Sequence, residues 1–280
     1  MHGVERAATV FLAGAECPFT CSFCDLWRWT LDGPTPPGAL PAQLSKALES
    51  LAPPPLPHRL KLYNASNFFD RRAVPVEDLP RIAELAAPFG AVTVESHANT
   101  VGPLTLEFAA LLSGRLEVAV GLETVHPLAF AHLNKKLELE RFDRAASFLA
   151  AHDVDLRAFA LLGAPYVPPA ESIDWTVRTV EYAAARGAGR IAVIPVRGGN
   201  GELERLQALG HFVPPTLAQL ETVLERCLAI RSAVVTADVW DIARLPGCES
   251  CRAQRVARIQ TMNLTSSPQP PPPIPCPACA

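Results

Sequence analysis

The sequence predicts an α/β fold built on a parallel sheet. Three observations point there. Six short, mostly apolar runs alternate with longer amphipathic ones. Each short run precedes a helical pattern, which implies parallel strands joined by crossovers. Finally, 49% of the 280 residues are hydrophobic and 19% charged, so there is ample core material and whole-chain disorder is excluded.

The candidate strands are Thr9–Ala13, Arg59–Tyr63, Ala91–Glu95, Glu117–Leu122, Asp155–Leu161 and Arg190–Pro195. Each reads as a strand buried on both faces. The candidate helices lie between them. Pro41–Leu51 opens with a proline in its first turn. Leu79–Ala87 follows Asp78, a good N-cap residue. Leu104–Leu112 is next, then Glu140–His152, with Phe142, Ala145, Ala146 and Leu149 on one face. Ile173–Arg186 stops at Gly187, and Thr216–Arg231 follows Pro214-Pro215. Six units fall short of the eight of a closed barrel. An open barrel and a doubly wound sheet both fit, and both place ligands at the C-terminal ends of the strands. Ala233–Trp240 is a candidate seventh strand.

Beyond it the composition changes. Pro246–Ala280 holds four cysteines and the proline block SSPQPPPPIPCPAC, with too few apolar residues for a core of its own. Such a segment needs a metal staple or docking onto the main domain. The expected division is a core over 1–240 and a cysteine- and proline-rich extension over 241–280.

The net charge of −3 argues against a strongly basic nucleic-acid binder. The apolar run near the N-terminus, Val10 to Ala15, is too short for a signal or a membrane span, and no other window is long enough. The expectation is a soluble, cytoplasmic protein with no membrane partner. Clustered cysteines there bind metal more often than they form disulfides.

The first cluster is Cys17-x3-Cys21-x2-Cys24, directly after the first strand. Structural zinc sites and ordinary ferredoxin clusters use four protein ligands. Three thiolates around a four-iron cluster leave one iron open to a substrate. A zinc or ferredoxin-type site completed by Cys227 is the alternative, although Cys227 lies in a helical pattern where a core thiol is expected. The second cluster pairs Cys248-x2-Cys251 with Cys276-x2-Cys279. Four thiolates in this format suit zinc or an auxiliary iron–sulfur cluster.

The first spacing, with Phe23 before its last cysteine, resembles the signature of the radical S-adenosylmethionine (SAM) superfamily. The resemblance implies an incomplete (βα)6 TIM-like barrel with a small four-cysteine extension. It implies a [4Fe–4S] cluster on Cys17, Cys21 and Cys24, with SAM on the open iron. Reductive cleavage of SAM would yield a 5′-deoxyadenosyl radical that abstracts hydrogen from a substrate. A one-electron donor of the flavodoxin or ferredoxin type is implied as partner.

The resemblance also assigns SAM contacts at the strand ends. Asn64, Ala65, Ser66 and Asn67 stand where the family commonly places a Gly-Gly-Glu-type segment for the methionyl amine. Glu95 ends the third strand, near His97, and Glu123 ends the fourth, where a carboxylate would bind ribose or amine. Lys135, beside Asn134, would reach the SAM carboxylate. Leu161, Gly163, Val193 and Pro195 would meet the adenine. The strings KLYNASNFFD, VESHANT, GLET and LNKK resemble the elongator-catalytic-subunit branch, which includes the radical SAM subunit that completes archaeosine in tRNA. The implied substrate is a small metabolite or a tRNA base presented with a partner. A non-catalytic iron–sulfur or zinc protein for redox sensing or docking is the alternative class.

Overall fold

The computed structural model describes residues 4–51 and 56–270. Seven strands form one sheet whose spatial order equals chain order. They are β1 (Ala7–Leu12), β2 (Arg59–Asn64), β3 (Ala91–Ser96), β4 (Arg115–Glu123), β5 (Asp155–Leu162), β6 (Arg190–Pro195) and β7 (Val234–Ala237). The pairings β1–β2, β2–β3, β3–β4 and β6–β7 are parallel in register. The helices are α1 (Ala39–Glu49), α2 (Leu79–Ala86), α3 (Pro103–Leu111), α4 (Pro127–His132), α5 (Leu139–Ala151), α6 (Ser172–Ala185), α7 (Glu202–Ala208), α8 (Leu217–Cys227) and α9 (Glu249–Thr265). This is the α/β arrangement of an incomplete TIM-like barrel, with the candidate seventh strand present as β7.

The chain divides into two compact units. The first comprises Met1–Thr20, Cys24–Gly121 and Lys136–Arg157. Its strands sort their side chains by parity. Ala8, Val10 and Leu12 on β1, Leu60 and Leu62 on β2, Val92 and Val94 on β3, and Leu116, Val118 and Val120 on β4 are all buried. The helices contribute Leu40 and Leu44, Ile82 and Ala86, Phe108, and Phe142 and Leu149 to the core. The other face of the same strands is polar. Register places Thr9, Lys61, Thr93 and Glu117 in one row across β1 to β4.

Asp78 does not cap α2 with its side chain. Its Oδ1 accepts from the Gly38 N–H at 2.7 Å and so fixes the start of α1. Gly38 has φ +81°, a conformation that favours glycine.

The second unit comprises Cys21–Phe23, Leu122–Lys135 and Ala158–Ala280. Its core joins Val180 and Ala183 of α6, Ile191 and Val193 of β6, and Leu220, Val223, Leu224 and Cys227 of α8. The helical pattern over 249–265 escaped the sequence reading, because α9 is polar on most of its surface. It docks through buried Ile259 and Met262. Arg258 reaches Glu225 at 2.7 Å, and Arg255 pairs with Glu221. Asn263 bonds both the N–H and the C=O of Ala237, so its side-chain amide pairs with β7 as a strand would. No helix among the described residues is long and apolar enough to cross a membrane.

Candidate functional site

The cysteine loop leaves β1 under tight control. The Gln43 side chain accepts from the Ala13 N–H at 2.8 Å and donates to its carbonyl at 2.9 Å. Next comes Gly14, where a Cβ would sit 2.7 Å from the Ala73 carbonyl and 2.8 Å from the Thr35 hydroxyl, so no larger residue fits. That hydroxyl accepts from the Ala15 N–H and donates to the Ala73 carbonyl.

In the first unit Cys17 and Cys24 are half-buried. Asn67 is buried, and its Nδ2 donates to the Cys17 sulfur at 3.3 Å. Phe19, inside the cysteine loop, stacks on His97 with centroids 3.9 Å apart and planes within 16°. The His97 Nδ1 accepts from the Asn99 N–H at 3.1 Å. His97 is therefore an anchor for the cysteine loop. Glu95 is half-buried, and its carbonyl accepts from the Phe68 N–H.

The end of β2 carries an unmet demand. Asn64 is 4% exposed, yet neither polar atom of its side-chain amide has a hydrogen-bond partner, and the Ser66 hydroxyl has none either. A buried polar group left unsatisfied costs about 1–3 kcal/mol. A ligand offering both donors and acceptors would relieve that cost. The donor chemistry of Asn64, Ser66 and Asn67 thus fits the polar methionyl end of a ligand such as SAM.

In the second unit the loop is held from its middle. The Ser22 N–H donates to the Leu133 carbonyl at 3.0 Å. The Ser22 carbonyl accepts from Asn200 Nδ2 at 2.9 Å. Phe23 packs on the apolar cluster of Leu161, Ala164, Val196, Leu203, Leu206 and Phe212. Gly163 has φ +73°, and a Cβ there would lie 2.7 Å from the Pro215 ring. Val193 is fully buried and its carbonyl accepts from the Asp238 N–H, while Pro195 is the last residue of β6.

Glu123 ends β4 at 5% exposure with φ +71°. Lys135 Nζ lies 2.9 Å from its Oε1. Asn134, at φ +55°, precedes that lysine. A non-glycine residue in this region is strained by about 1–3 kcal/mol, and such strain clusters at functional sites.

The remaining cysteines separate by environment. Cys227 is fully buried, and desolvation by that burial pushes its thiol up to about 12. Cys251 lies in the first turn of α9 with Cys248 just before it, and Arg255 Nε donates to the Cys251 sulfur at 3.3 Å. Cys276 and Cys279 lie outside the described residues. Among the described residues, no group of three or more His, Cys, Asp or Glu side chains stands ready to hold a metal ion.

Sequence reasoning missed Gln43, Phe19 and Asn200. All three act on the cysteine loop through tertiary contacts, which no local pattern announces.

No family model and no curated protein matches the chain. Solved structures match its fold. SuiB from Streptococcus suis, bound to S-adenosylmethionine, matches with TM-score 0.58 and 16% identity over 89% of this chain and 52% of that one. The archaeal Elp3 of Methanocaldococcus infernus matches with TM-score 0.62 and 12% identity, over 93% and 64%. A radical SAM methyltransferase from Sphaerobacter thermophilus matches with TM-score 0.54 and 15% identity, over 82% and 65%. The chain spans 52% of the length of SuiB. What it shares with these proteins is a fold, the partial barrel on which radical SAM enzymes are built.

Proposed function

We propose that this chain is a radical SAM enzyme, with Cys17, Cys21 and Cys24 as the thiolate ligands of a [4Fe–4S] cluster. One observation carries the reading. The three-cysteine loop issues from the end of β1 in a fold shared with radical SAM enzymes, and its first sulfur accepts a hydrogen bond from Asn67 after β2. Held by Cys17, Cys21 and Cys24, a cluster with SAM would supply reductive cleavage to a 5′-deoxyadenosyl radical for hydrogen abstraction.

The chain's own residues position and shield that chemistry. The Asn67 N–H group stabilises negative charge on the Cys17 thiolate. Asn64, Ala65 and Ser66 take the methionyl amine, which answers the unsatisfied amide and hydroxyl. Glu123 and Lys135, already paired, offer a carboxylate to the ribose hydroxyls and an ammonium to the SAM carboxylate. Glu95 is a further polar contact at the end of β3. Phe23 and Leu161, in one apolar cluster, would form the apolar side toward the adenine and keep water from it, with the glycine-bearing turn at Gly163 against the ring and the backbone at Val193–Pro195 meeting the adenine edge.

The strand-end strings favour the elongator-like branch. The substrate is then a small molecule, or a tRNA base presented by a partner, since a chain of net charge −3 is poorly suited to gripping phosphates unaided. The electron comes from a flavodoxin- or ferredoxin-type donor in the cytoplasm. Residues 241–280 form a C-terminal extension whose helix α9 packs on α8 and β7, and in it Cys248, Cys251, Cys276 and Cys279 hold zinc or an auxiliary cluster.

The test is anaerobic reconstitution with iron and sulfide, then reduction in the presence of SAM. Formation of 5′-deoxyadenosine by the wild type and its loss in Cys17→Ala is the expected result. A reconstituted, reducible protein that never forms it would overturn the reading and leave a redox-sensing or docking role for the metal.

A further inference from the structure

The polar face of β1 to β4 carries a set of charges that the proposed chemistry does not use. Glu117 is 1% exposed, and its Oε2 takes hydrogen bonds from Thr93 and from Arg157 Nε, both at 2.8 Å. Arg59 Nη1 stands 3.4 Å from the same oxygen. Arg59 Nε also donates to Glu5 at 2.9 Å. Two guanidiniums thus meet two carboxylates and are compensated.

Lys61 is the third cation. It sits in the row between Thr9 and Thr93, and it is half-buried. Among the described residues no hydrogen bond or ion pair reaches its ammonium. Burial lowers its pKa most, followed by the like charge of Arg157; Glu117 pulls it back up, Arg59 lowers it further by less, and Glu5 raises it least. A desolvated cation beside other cations is stabilised by an anion and by little else.

One row nearer the C-terminal strand ends, Phe11 and Tyr63 pair across β1 and β2 with ring centroids 6.1 Å apart. Phe11 is 64% exposed, so its ring face is open to a ligand. Glu95 stands two residues beyond Thr93 on β3, on this same face. It repels an anion at that level, so an anionic group is favoured only in the deeper row of Lys61.

We infer that Lys61, Phe11 and Tyr63 form a subsite for a small organic anion, a phosphate or carboxylate carried on an aromatic or apolar body. The anionic end pairs with Lys61, and the body lies against Phe11 and Tyr63. In the proposed enzyme this occupant is the substrate, so the class assignment rests on that reading. The binding itself does not need iron, SAM or reductant.

The experiment uses the full chain as isolated and phenyl phosphate as probe, followed by ligand-observed NMR titration. Benzoate replaces phenyl phosphate in a second arm to separate phosphate from carboxylate preference. Saturable binding is expected, weakened about tenfold in Lys61→Met, the equivalent of about 1.4 kcal/mol, and retained in Lys61→Arg. Phe11→Ala should weaken phenyl phosphate while leaving the weaker binding of inorganic phosphate unchanged. Circular dichroism confirms that each variant folds. Equal affinity in the wild type and a folded Lys61→Met would overturn the proposal, as would the absence of saturable binding of either probe. Neither result bears on 5′-deoxyadenosine formation, so the two readings fail separately.

Discussion

The side chain of Asn200 joins two structures at once, donating from Nδ2 to the Ser22 carbonyl at 2.9 Å and accepting the Leu203 N–H at 2.7 Å through Oδ1. Ser22 lies between Cys21 and Cys24, and Leu203 is in the first turn of α7. Asn200→Asp keeps the acceptor for α7 but loses the donor to Ser22. Asn200→Ala loses both. Expected costs are about 1 kcal/mol for each lost bond, so Ala destabilises more than Asp in a urea titration. Both variants should also take up less iron on reconstitution than the wild type. Full iron loading of Asn200→Asp would show that the Ser22 bond does not hold the cysteine loop in place.

In the Glu123–Lys135 pair the carboxylate is buried and the lysine largely shielded, with side-chain exposures of 6% and 12%. Lys135→Met strands a carboxylate on a left-handed backbone and should cost about 3–5 kcal/mol. Adding Glu123→Gln removes the stranded charge and should restore much of that stability. A denaturant double-mutant cycle measures the coupling. If the double variant is as unstable as the sum of the singles, the two residues do not act as a pair.

The parallel sheet was legible because periodicity is a local signal. β6 runs from Arg190 to Pro195 as read from sequence alone, β1 to β5 shift by only a residue or two at their ends, and β7 stops at Ala237, three residues short of the Trp240 read from sequence. The place of the cysteine loop, directly after β1, was legible because β1 itself was. α9 was hidden, since its buried face is narrow and a dense proline block follows it. Asp78 misled for a different reason. Its position suits an N-cap, but the Gly38 N–H, 40 residues away in sequence, takes the carboxylate instead. Buried Glu117 in an apolar run gave no hint of Arg59 and Arg157, because charge compensation across strands depends on register.

Cys227 offers a pH test of the core. Burial pushes its thiol up to about 12 from an ordinary value of 9.0. The folded state therefore holds the proton that the unfolded chain releases first. The stabilising difference is fully present below pH 9 and is lost as pH rises toward about 12, by roughly 1.4 kcal/mol per pH unit. Between these limits Cys227→Ala should lose stability less steeply than the wild type. Cys227 should also resist alkylation at pH 8 until the protein unfolds. Parallel stability-against-pH curves for the two proteins would refute the assignment of Cys227 as a buried, inert thiol.

The end of α9 bears on the second group of cysteines. Ser266 has φ +49°, and the chain after it turns back, so that Arg258 Nε donates to the carbonyls of both Gln269 and Pro270 at 3.0 Å. Arg258 stands seven residues past Cys251 on the same helix, a rise of about 10 Å. Cys276 follows Pro270 by six residues in sequence, and we propose that Cys276 and Cys279 join Cys248 and Cys251. If they do, one thiolate-bound metal site forms, and Arg258 directs the chain toward it. Arg258→Ala should lower metal bound per chain in this region, measured by elemental analysis on a Cys17→Ala background that removes the first cluster. A colourless protein containing zinc indicates a closed structural site, and iron with a sulfide-to-iron charge-transfer band indicates an auxiliary cluster. Unchanged metal content in a folded Cys276→Ser, Cys279→Ser double variant would show that the second pair of thiols is not part of the site.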